Sequence, residues 1–239
     1  MTMHIVLSTG NRDGLVWVTE RAAFLGVGHG NFSSVLKVTH LNEYGIAFSA
    51  WGDPIALEAL GEFSDRVKDG RIKLIEGDQE QIKQELRNFA SDVLPPEKYQ
   101  QDLERKDCRG LIVATLGPRP QVYKLMIIRR PICFAIYDEL NANVDITVGD
   151  AGSPANLFVR YYYPRCKKTT EELLRLGLHT MRLAKELNSL AIGEPDAWVC
   201  EKGEFRQLGT DELAHYDRLS RALDAKIFDF LQCRETAVR

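Results

Sequence analysis

Thr2 is the residue near the start of the chain that could carry out covalent chemistry, since it follows Met1 and precedes an apolar run. A threonine hydroxyl is a weak nucleophile and needs a base to activate it. Once Met1 is removed, the α-amine of Thr2 can be that base, because its ordinary pKa is about 7.7–8.0. We expect this removal to be routine and to need no propeptide. Threonine is also common as an ordinary second residue, so the sequence alone leaves both interpretations open.

The five cysteines point to no second reactive centre. They are widely spaced, include no Cys-x-x-Cys pair, and lie at Cys108, Cys133, Cys166, Cys200 and Cys233. An odd number of scattered cysteines predicts reduced thiols, without a disulfide framework or a zinc site. We expect Cys133 and Cys200, which lie in apolar runs, to be core residues. Cys108 is expected to be more exposed, and a catalytic role for it is the weaker alternative.

The charge balance argues against nucleic acids and membranes as partners. The 239 residues carry a formal net charge of −3, and the basic residues are dispersed. Nucleic-acid binding usually requires a basic face, which this pattern does not predict. No apolar run reaches about 18 residues, the length that predicts a membrane span, and the N-terminus lacks the pattern of a secretory signal. We therefore expect a cytoplasmic protein.

Hairpin signals dominate the first fifty residues. Asp13-Gly14 separates the apolar runs HIVLSTG and GLVWVTE, and Gly45 separates SVLKVTHL from GIAFSAW. Such turn residues between two apolar runs predict β-hairpins. Further strands are predicted at RIKLIEG, GLIVATLG, QVYKLMII, ICFAIYD and VDITVG, and a last hairpin around Lys202-Gly203.

Helices are predicted where apolar residues recur every three or four positions. Asp53-Pro54 and Asp78 begin two of them, because Asp is a good N-cap and Pro fits the first turn. Thr169 and Glu172 have the spacing of a capping box before a long third helix. A short helix near 153–163 and a closing helix at 210–231 complete the set.

The predicted elements come in groups rather than in strict alternation. Hairpin strands precede two helices, more strands follow, and two helices, a hairpin and a helix close the chain. Hairpin connections favour antiparallel sheets, and grouped helices favour α+β layering. We therefore predict two facing, mostly antiparallel sheets with helices outside. They form a single domain over 1–239, whose residues 208–239 are a C-terminal helical extension.

Four stretches resemble the proteasome β-subunit-like family of N-terminal nucleophile hydrolases, over about residues 2–207. TMHIVLSTGNRDGLVWVTERA is similar to the family's first hairpin, and LKVTHLNEYGIAFSAWGDPIALEAL to its second hairpin and helix. ITVGD resembles the strand before a Gly-Ser-Gly turn, and residues 169–205 resemble the long helix and last hairpin. The resemblance implies a four-layer αββα sandwich, in agreement with the layering predicted above.

The resemblance also implies catalytic roles for Thr2, Lys37 and Glu20. Thr2 would attack a carbonyl group while its own amine moves the proton. Lys37 corresponds to a buried lysine of the family, whose ammonium would lower the pKa of that amine and favour the Thr2 alkoxide. Glu20 would pair with this lysine. Taken without the resemblance, Lys37 also fits an outward-facing strand residue, and Glu20 a solvated strand end.

Supporting roles follow for residues around the nucleophile. Backbone N–H groups near Ala50 and Trp51 would hold the oxyanion, although the family usually has Gly near Ala50. Asp150 corresponds to a position where the family often has Ser, and a helix N-cap is an equally good role for it. Asn188 takes the place of a family Asp. His4 shares a strand face with Thr2 and is expected to line the pocket or pack beside it.

The resemblance thus implies a threonine-type N-terminal nucleophile hydrolase that cleaves a peptide or other amide bond through an acyl-enzyme on Thr2. It implies no metal or organic cofactor, and a homo-oligomer in the form of a ring or spiral. Two alternatives stay open. One is a catalytically inactive subunit that serves assembly or binding, which Asn188 favours. The other is an amide hydrolase for a small metabolite, whose pocket Trp17 and Trp51 would narrow.

Overall fold

The first hairpin of the chain forms around its predicted turn. In the computed structural model β1 (His4–Ser8) pairs antiparallel with β2 (Gly14–Glu20). The Thr9 hydroxyl donates to Asp13 Oδ1 at 2.6 Å and accepts from the Gly14 N–H at 3.0 Å, which closes the turn. A Cβ on Gly14 would lie 2.7 Å from a backbone oxygen of a neighbouring strand, so only glycine allows this close approach.

The structure describes most of the chain. The described residues are 3–24, 32–34, 36–52, 54–74, 78–94, 109–128, 130–136, 147–148, 154–187 and 192–232. Within them, two short strands, β3 (Ala22–Phe24) and β4 (Phe32–Ser34), pair with each other beside the main sheets.

The first sheet has the strand order β10–β1–β2–β11–β12. Its later strands are β10 (Thr147–Val148), β11 (Pro195–Glu201) and β12 (Glu204–Gln207). All pairings are antiparallel, and β11 lies along the whole of β2, with Pro195 opposite Glu20. The hairpin predicted around Lys202-Gly203 forms, and both residues adopt positive φ angles.

The second sheet runs in chain order and is also antiparallel. Its strands are β5 (Thr39–Leu41), β6 (Ile46–Trp51), β7 (Gly110–Thr115), β8 (Gln121–Met126) and β9 (Ile132–Ala135). Gly45 provides the predicted turn before β6, with a φ of 61°. Because β5 pairs only with Ile46–Phe48, the rest of β6 extends past the end of β5.

Five α-helices are described, and none is long and apolar enough to cross a membrane. They are α1 (Pro54–Lys68), α2 (Gln79–Val93), α3 (Pro154–Tyr162), α4 (Thr170–Leu187) and α5 (Thr210–Leu231). Asp78 caps α2 as predicted, since its carboxylate accepts from the Gln81 N–H at 3.0 Å. Thr169 does the same for α4, accepting from the Glu172 N–H at 3.3 Å.

The helices cover the outer faces of the two sheets. α1 and α2 pack on the second sheet, where Phe48, Phe63 and Phe89 form successive edge-to-face contacts. α4 packs on the first sheet, and a Cβ on its Gly177 would lie 2.8 Å from Val18. The sheets face each other through a shared core. The predicted α+β fold, a four-layer αββα sandwich, is therefore confirmed.

α5 lies outside α4 and is joined to it by a polar cluster. His179 Nδ1 lies 2.6 Å from the Ser220 hydroxyl, which also accepts from Arg182 Nε at 2.7 Å. Arg182 further forms ion pairs with Asp224 and Glu186. We call these five residues the helix cluster. Beyond it, the end of α5 exposes the apolar side chains of Leu223, Ile227, Phe228, Phe230 and Leu231.

Two strand predictions were wrong in part. Arg71–Leu74, predicted as strand, is not one, because the N–H groups of Arg71 and Ile72 both donate to the Arg66 carbonyl and so close the end of α1. The run SVLKVTHL was predicted as one strand, but residues 36–38 are irregular and β5 begins only at Thr39. Lys37 therefore lies in a connecting segment.

Candidate functional site

A buried ion pair joins Glu20 to Lys37. Glu20 is the last residue of β2 and is fully buried, while the Lys37 side chain is 10% exposed. Lys37 Nζ contacts Glu20 Oε1, and Glu20 Oε2 accepts from the Gly193 N–H at 3.3 Å. Burial lowers the pKa of Lys37 and the Glu20 carboxylate opposes that shift. The sequence left open whether Lys37 and Glu20 form a buried pair or face solvent. In the structure both side chains are buried and they contact each other.

His4 occupies the space between the two sheets beside this pair. It is fully buried, and its Nδ1 accepts a hydrogen bond from Trp17 Nε1 at 3.2 Å. Since an indole N–H can only donate, the proton of the neutral imidazole lies on Nε2. That nitrogen is 3.2 Å from the Ser49 hydroxyl and 3.4 Å from the Ala50 carbonyl. His4 thus links β1 and β2 to β6.

The electrostatic environment keeps His4 neutral. Burial, reinforced by the positive charge of Lys37, lowers its pKa to about 3, and the hydrogen bond with the Ala50 carbonyl opposes this shift. Burial costs a protonated imidazole more hydration energy than it costs a neutral one, so a buried histidine favours the neutral form. At neutral pH, therefore, the ammonium of Lys37 has an uncharged neighbour.

Ser49 completes a connection from His4 to the segment that carries Lys37. Its hydroxyl donates to the Lys37 carbonyl at 2.5 Å. On the other side of the hairpin, the Thr19 hydroxyl donates to the Met3 carbonyl at 3.2 Å, which fixes the main chain just before β1. We call His4, Trp17, Glu20, Lys37 and Ser49 the intersheet cluster.

Ala50 and Trp51, the residues expected to supply oxyanion N–H groups, lie at the end of β6 next to this cluster. Both are buried, and the Ala50 carbonyl faces His4 Nε2. The Trp51 ring packs tightly over Gly110, where an added Cβ would lie 2.6 Å from the ring, and Lys124 Nζ lies 5.7 Å from the ring centroid. The Trp51 side chain therefore packs against β7 and β8. The oxyanion role of the backbone N–H groups at Ala50 and Trp51 stays a prediction.

Three of the expected site residues, Thr2, Asp150 and Asn188, lie outside the described residues, and their roles stay predictions. Cys133 and Cys200 are buried, as predicted, and burial raises the pKa of Cys200 to about 11. Cys108 also lies outside the described part. Among the described residues, no three His, Cys, Asp or Glu side chains are grouped so that they could hold a metal ion.

Sequence reasoning missed Ser49 and Gly193. A hydroxyl in the apolar run IAFSAW has the same signature that drew attention to Lys37, namely a polar residue where a core residue is expected. Gly193 contributes a backbone N–H, and its sequence context contains no sign of that role. Trp17 was expected near the site as a bulky wall, whereas its main contribution is the hydrogen bond to His4.

Several solved structures have a similar fold. Anbu, an ancestral β-subunit, from Yersinia bercovieri matches with a TM-score of 0.68 and 10% identity over 100% of both chains. Anbu from Pseudomonas aeruginosa, solved as a helical assembly, gives 0.67 and 14% over 100% of both chains. Eukaryotic HslV from Trypanosoma brucei gives 0.54 and 15%, covering 84% of this chain and 99% of its own. No protein-family model and no curated protein sequence matches the chain.

At identities of 10–15% such a likeness establishes the fold and leaves the chemistry to be argued from the residues. The matched proteins share the proteasome-like architecture that the sequence resemblance implied. The match to Anbu spans the whole of this chain, including its C-terminal helix. The protein therefore has the four-layer, proteasome-like fold of N-terminal nucleophile hydrolases.

Proposed function

We propose that the protein is a threonine-type N-terminal nucleophile hydrolase, which cleaves a peptide or another amide bond through an acyl-enzyme on Thr2. The observation that supports this most is the buried ion pair of Lys37 and Glu20. Removing two charges from water is unfavourable even when they are paired, and perturbed buried charges are concentrated at functional sites. In a proteasome-like fold Thr2 lies just before β1 in the sequence, and a buried ammonium near that strand can act on the Thr2 amine and hydroxyl.

The proposed reaction begins when the hydroxyl oxygen of Thr2 attacks the carbonyl carbon of the substrate amide. The hydroxyl proton moves to the free α-amine of Thr2 and then to the leaving nitrogen as the C–N bond breaks. This leaves the acyl group as an ester on Thr2. Water then attacks the ester, the α-amine again takes and returns a proton, and the acid product leaves.

Lys37 supports this reaction through its charge. A nearby ammonium lowers the pKa of the Thr2 amine, so that the amine is free to accept a proton at neutral pH, and it stabilises the developing alkoxide. Glu20 holds the ammonium in place from the opposite side. The backbone N–H groups at Ala50 and Trp51 are proposed to stabilise the oxyanion, and Asp150 and Asn188 to assist at the Thr2 amine.

The test is the intact mass of the protein, purified without an N-terminal tag, before and after treatment with a β-lactone. We expect loss of Met1 and one adduct per chain, which persists in Thr2→Ser and disappears in Thr2→Ala. Thr210→Ala, which removes an exposed threonine hydroxyl at the start of α5, is the matched control and should react like the wild type. A retained Met1, or a trimmed Thr2 that stays unmodified, would refute the hydrolase proposal.

Assembly without catalysis is the second candidate function. It is favoured by Asn188 in place of the family Asp, and by the exposed apolar end of α5, whose Phe228 and Phe230 are 59% and 73% exposed. We propose a homo-oligomer in either case. Sedimentation velocity should detect a species larger than one 27.1 kDa chain. Such a species with an unreactive Thr2 would leave assembly as the function, and a monomer would refute the oligomer.

A further inference from the structure

A chain of three hydrogen bonds crosses from the first sheet to the Lys37 segment. It runs from the Trp17 indole to His4 Nδ1 at 3.2 Å, from His4 Nε2 to the Ser49 hydroxyl at 3.2 Å, and from that hydroxyl to the Lys37 carbonyl at 2.5 Å. His4, Trp17 and Ser49 are all buried, so each bond is shielded from competing water.

The direction of every bond in this chain is determined by its first donor. Trp17 can only donate, so His4 Nδ1 must accept and Nε2 must carry the proton. The single Nε2 proton of His4 is therefore shared between the Ser49 oxygen at 3.2 Å and the Ala50 carbonyl at 3.4 Å, and the hydroxyl proton of Ser49 is left for the Lys37 carbonyl. If Trp17 were replaced by a side chain without a donor, the imidazole could reverse its tautomer and Ser49 could turn away from Lys37.

The Lys37 main chain depends on such a support. Residues 36–38 lie outside any strand, since β5 begins at Thr39. The Leu36 side chain just before it is 59% exposed, whereas the Lys37 side chain is 10% exposed and reaches Glu20. Because a lysine has four rotatable side-chain bonds, the place of its ammonium depends on where its own backbone is held.

We propose that His4 and Ser49 are positioning residues, which fix the main chain at Lys37 and thereby keep its ammonium directed at Glu20 in the interior. The consequence for catalysis rests on the proposed hydrolase function, whereas the positioning itself does not. His4 must be neutral for this role, since a second proton on Nδ1 would break the bond from Trp17 and add a cation beside Lys37. The pKa of about 3 for His4 is consistent with that requirement.

The test measures the pKa of Lys37 directly and needs no substrate. The protein is labelled with trace acetic anhydride across a pH series, and mass spectrometry follows the extent of acetylation of Lys37. Ser49→Ala removes the support, Ser49→Thr retains the hydroxyl, and Ser8→Ala is the matched control. Ser8 is also buried, but its hydroxyl has no hydrogen-bond partner among the described residues.

A second pair of variants tests the chain at His4. His4→Phe keeps an aromatic ring of similar size but loses the hydrogen bonds to Trp17, Ser49 and the Ala50 carbonyl. His4→Gln can retain them, because its amide oxygen can accept from Trp17 and its amide nitrogen can donate to Ser49. These variants keep the proposal testable should one of the serine variants fail to fold.

We expect the pKa of Lys37 to rise toward its ordinary value in Ser49→Ala and His4→Phe, because a released ammonium regains water. It should stay at the wild-type value in Ser49→Thr, His4→Gln and Ser8→Ala. An unchanged pKa in Ser49→Ala and His4→Phe, or an equal rise in Ser8→Ala, would overturn the proposal. If the pKa moves as expected while Thr2 never reacts with a β-lactone, the positioning role stands and only the hydrolase proposal falls.

Discussion

Two polar clusters in this protein contain nearly the same groups and are suited to different tasks. The intersheet cluster and the helix cluster each contain a histidine hydrogen-bonded to a serine, and a cation paired with a carboxylate. In both, the pKa of the histidine is lowered, mainly by burial. The groups present therefore do not by themselves distinguish a reactive site from a structural one.

The difference lies in the cation and in the exposure of its partner. Lys37 can release a proton, and its carboxylate partner Glu20 is fully buried. Arg182 cannot release one in proteins, and its partners Asp224 and Glu186 are 20% and 55% exposed. The helix cluster is therefore suited to holding α5 against α4, whereas the intersheet cluster holds a positive charge where little water screens it, as the proposed reaction on Thr2 requires.

Replacing Lys37 by Met should produce the largest effect on activity. Met removes the charge that lowers the pKa of the Thr2 amine and stabilises the alkoxide, so we expect acylation by a β-lactone to slow by about 10²–10³-fold. Lys37→Arg keeps the positive charge and the pairing with Glu20, so its rate should fall much less. Arg182→Lys is the control, and its acylation rate should equal that of the wild type. Full activity of Lys37→Met would contradict the proposed role of the Lys37 charge.

The second prediction concerns stability in acid, to which we expect His4 to contribute more than His179. The folded-state pKa of His4 lies below the ordinary value of 6.5, so the unfolded chain binds more protons between about pH 6.5 and 3. Stability should therefore fall as the pH falls through this window, by up to the order of 5 kcal/mol from His4. Urea unfolding at several pH values measures it.

His4→Gln should flatten this pH dependence strongly, because it keeps the hydrogen bonds and removes the titrating group. His179→Gln should flatten it less, since Glu186 opposes the lowering of the His179 pKa by burial and by Arg182. His215→Gln, which removes an exposed histidine, is the control and should leave the slope unchanged. Equal slopes in His4→Gln and the wild type would show that His4 does not control acid stability.

The third and smallest effect separates the two ion pairs by their burial. Lys37→Met leaves Glu20 buried without its cation and should lower the free energy of unfolding by about 3–5 kcal/mol. Arg182→Met leaves partners that reach water and should lower it by about 1–3 kcal/mol. Chemical denaturation at neutral pH measures both. Equal losses would contradict the view that only the intersheet pair is shielded from water.

The parts of the fold that follow local chemistry were predictable from the sequence. Asp13-Gly14 closes a turn and Asp78 caps a helix through contacts within a few residues, so the sequence contains the whole interaction. The strand predicted over Arg71–Leu74 failed because the end of α1 bound its N–H groups instead. Apolar spacing carries no information about that competition.

Within the candidate site, the pairing of Lys37 with Glu20 was predictable only because a family pattern supplied the long-range information. Lys37 and Glu20 are 17 residues apart along the chain, and no local rule pairs them. The contact of His4 with Ser49 spans 45 residues and requires knowing which faces of the two sheets meet. A serine in an apolar strand reveals that something polar faces it, but the partner follows only from the packing of the sheets.

Gly177 has a consequence for how the protein can vary. It is the point where α4 rests on β2, and even a methyl group there would lie 2.8 Å from Val18 Cγ2. A larger residue at this position would push α4 away from β2 or force the Val18 side chain to move. Because Ser220 and Asp224 of α5 bind side chains of α4, a displacement of α4 would also move α5. We therefore expect the contact between α4 and β2 to limit tolerance to mutation as much as the intersheet cluster does.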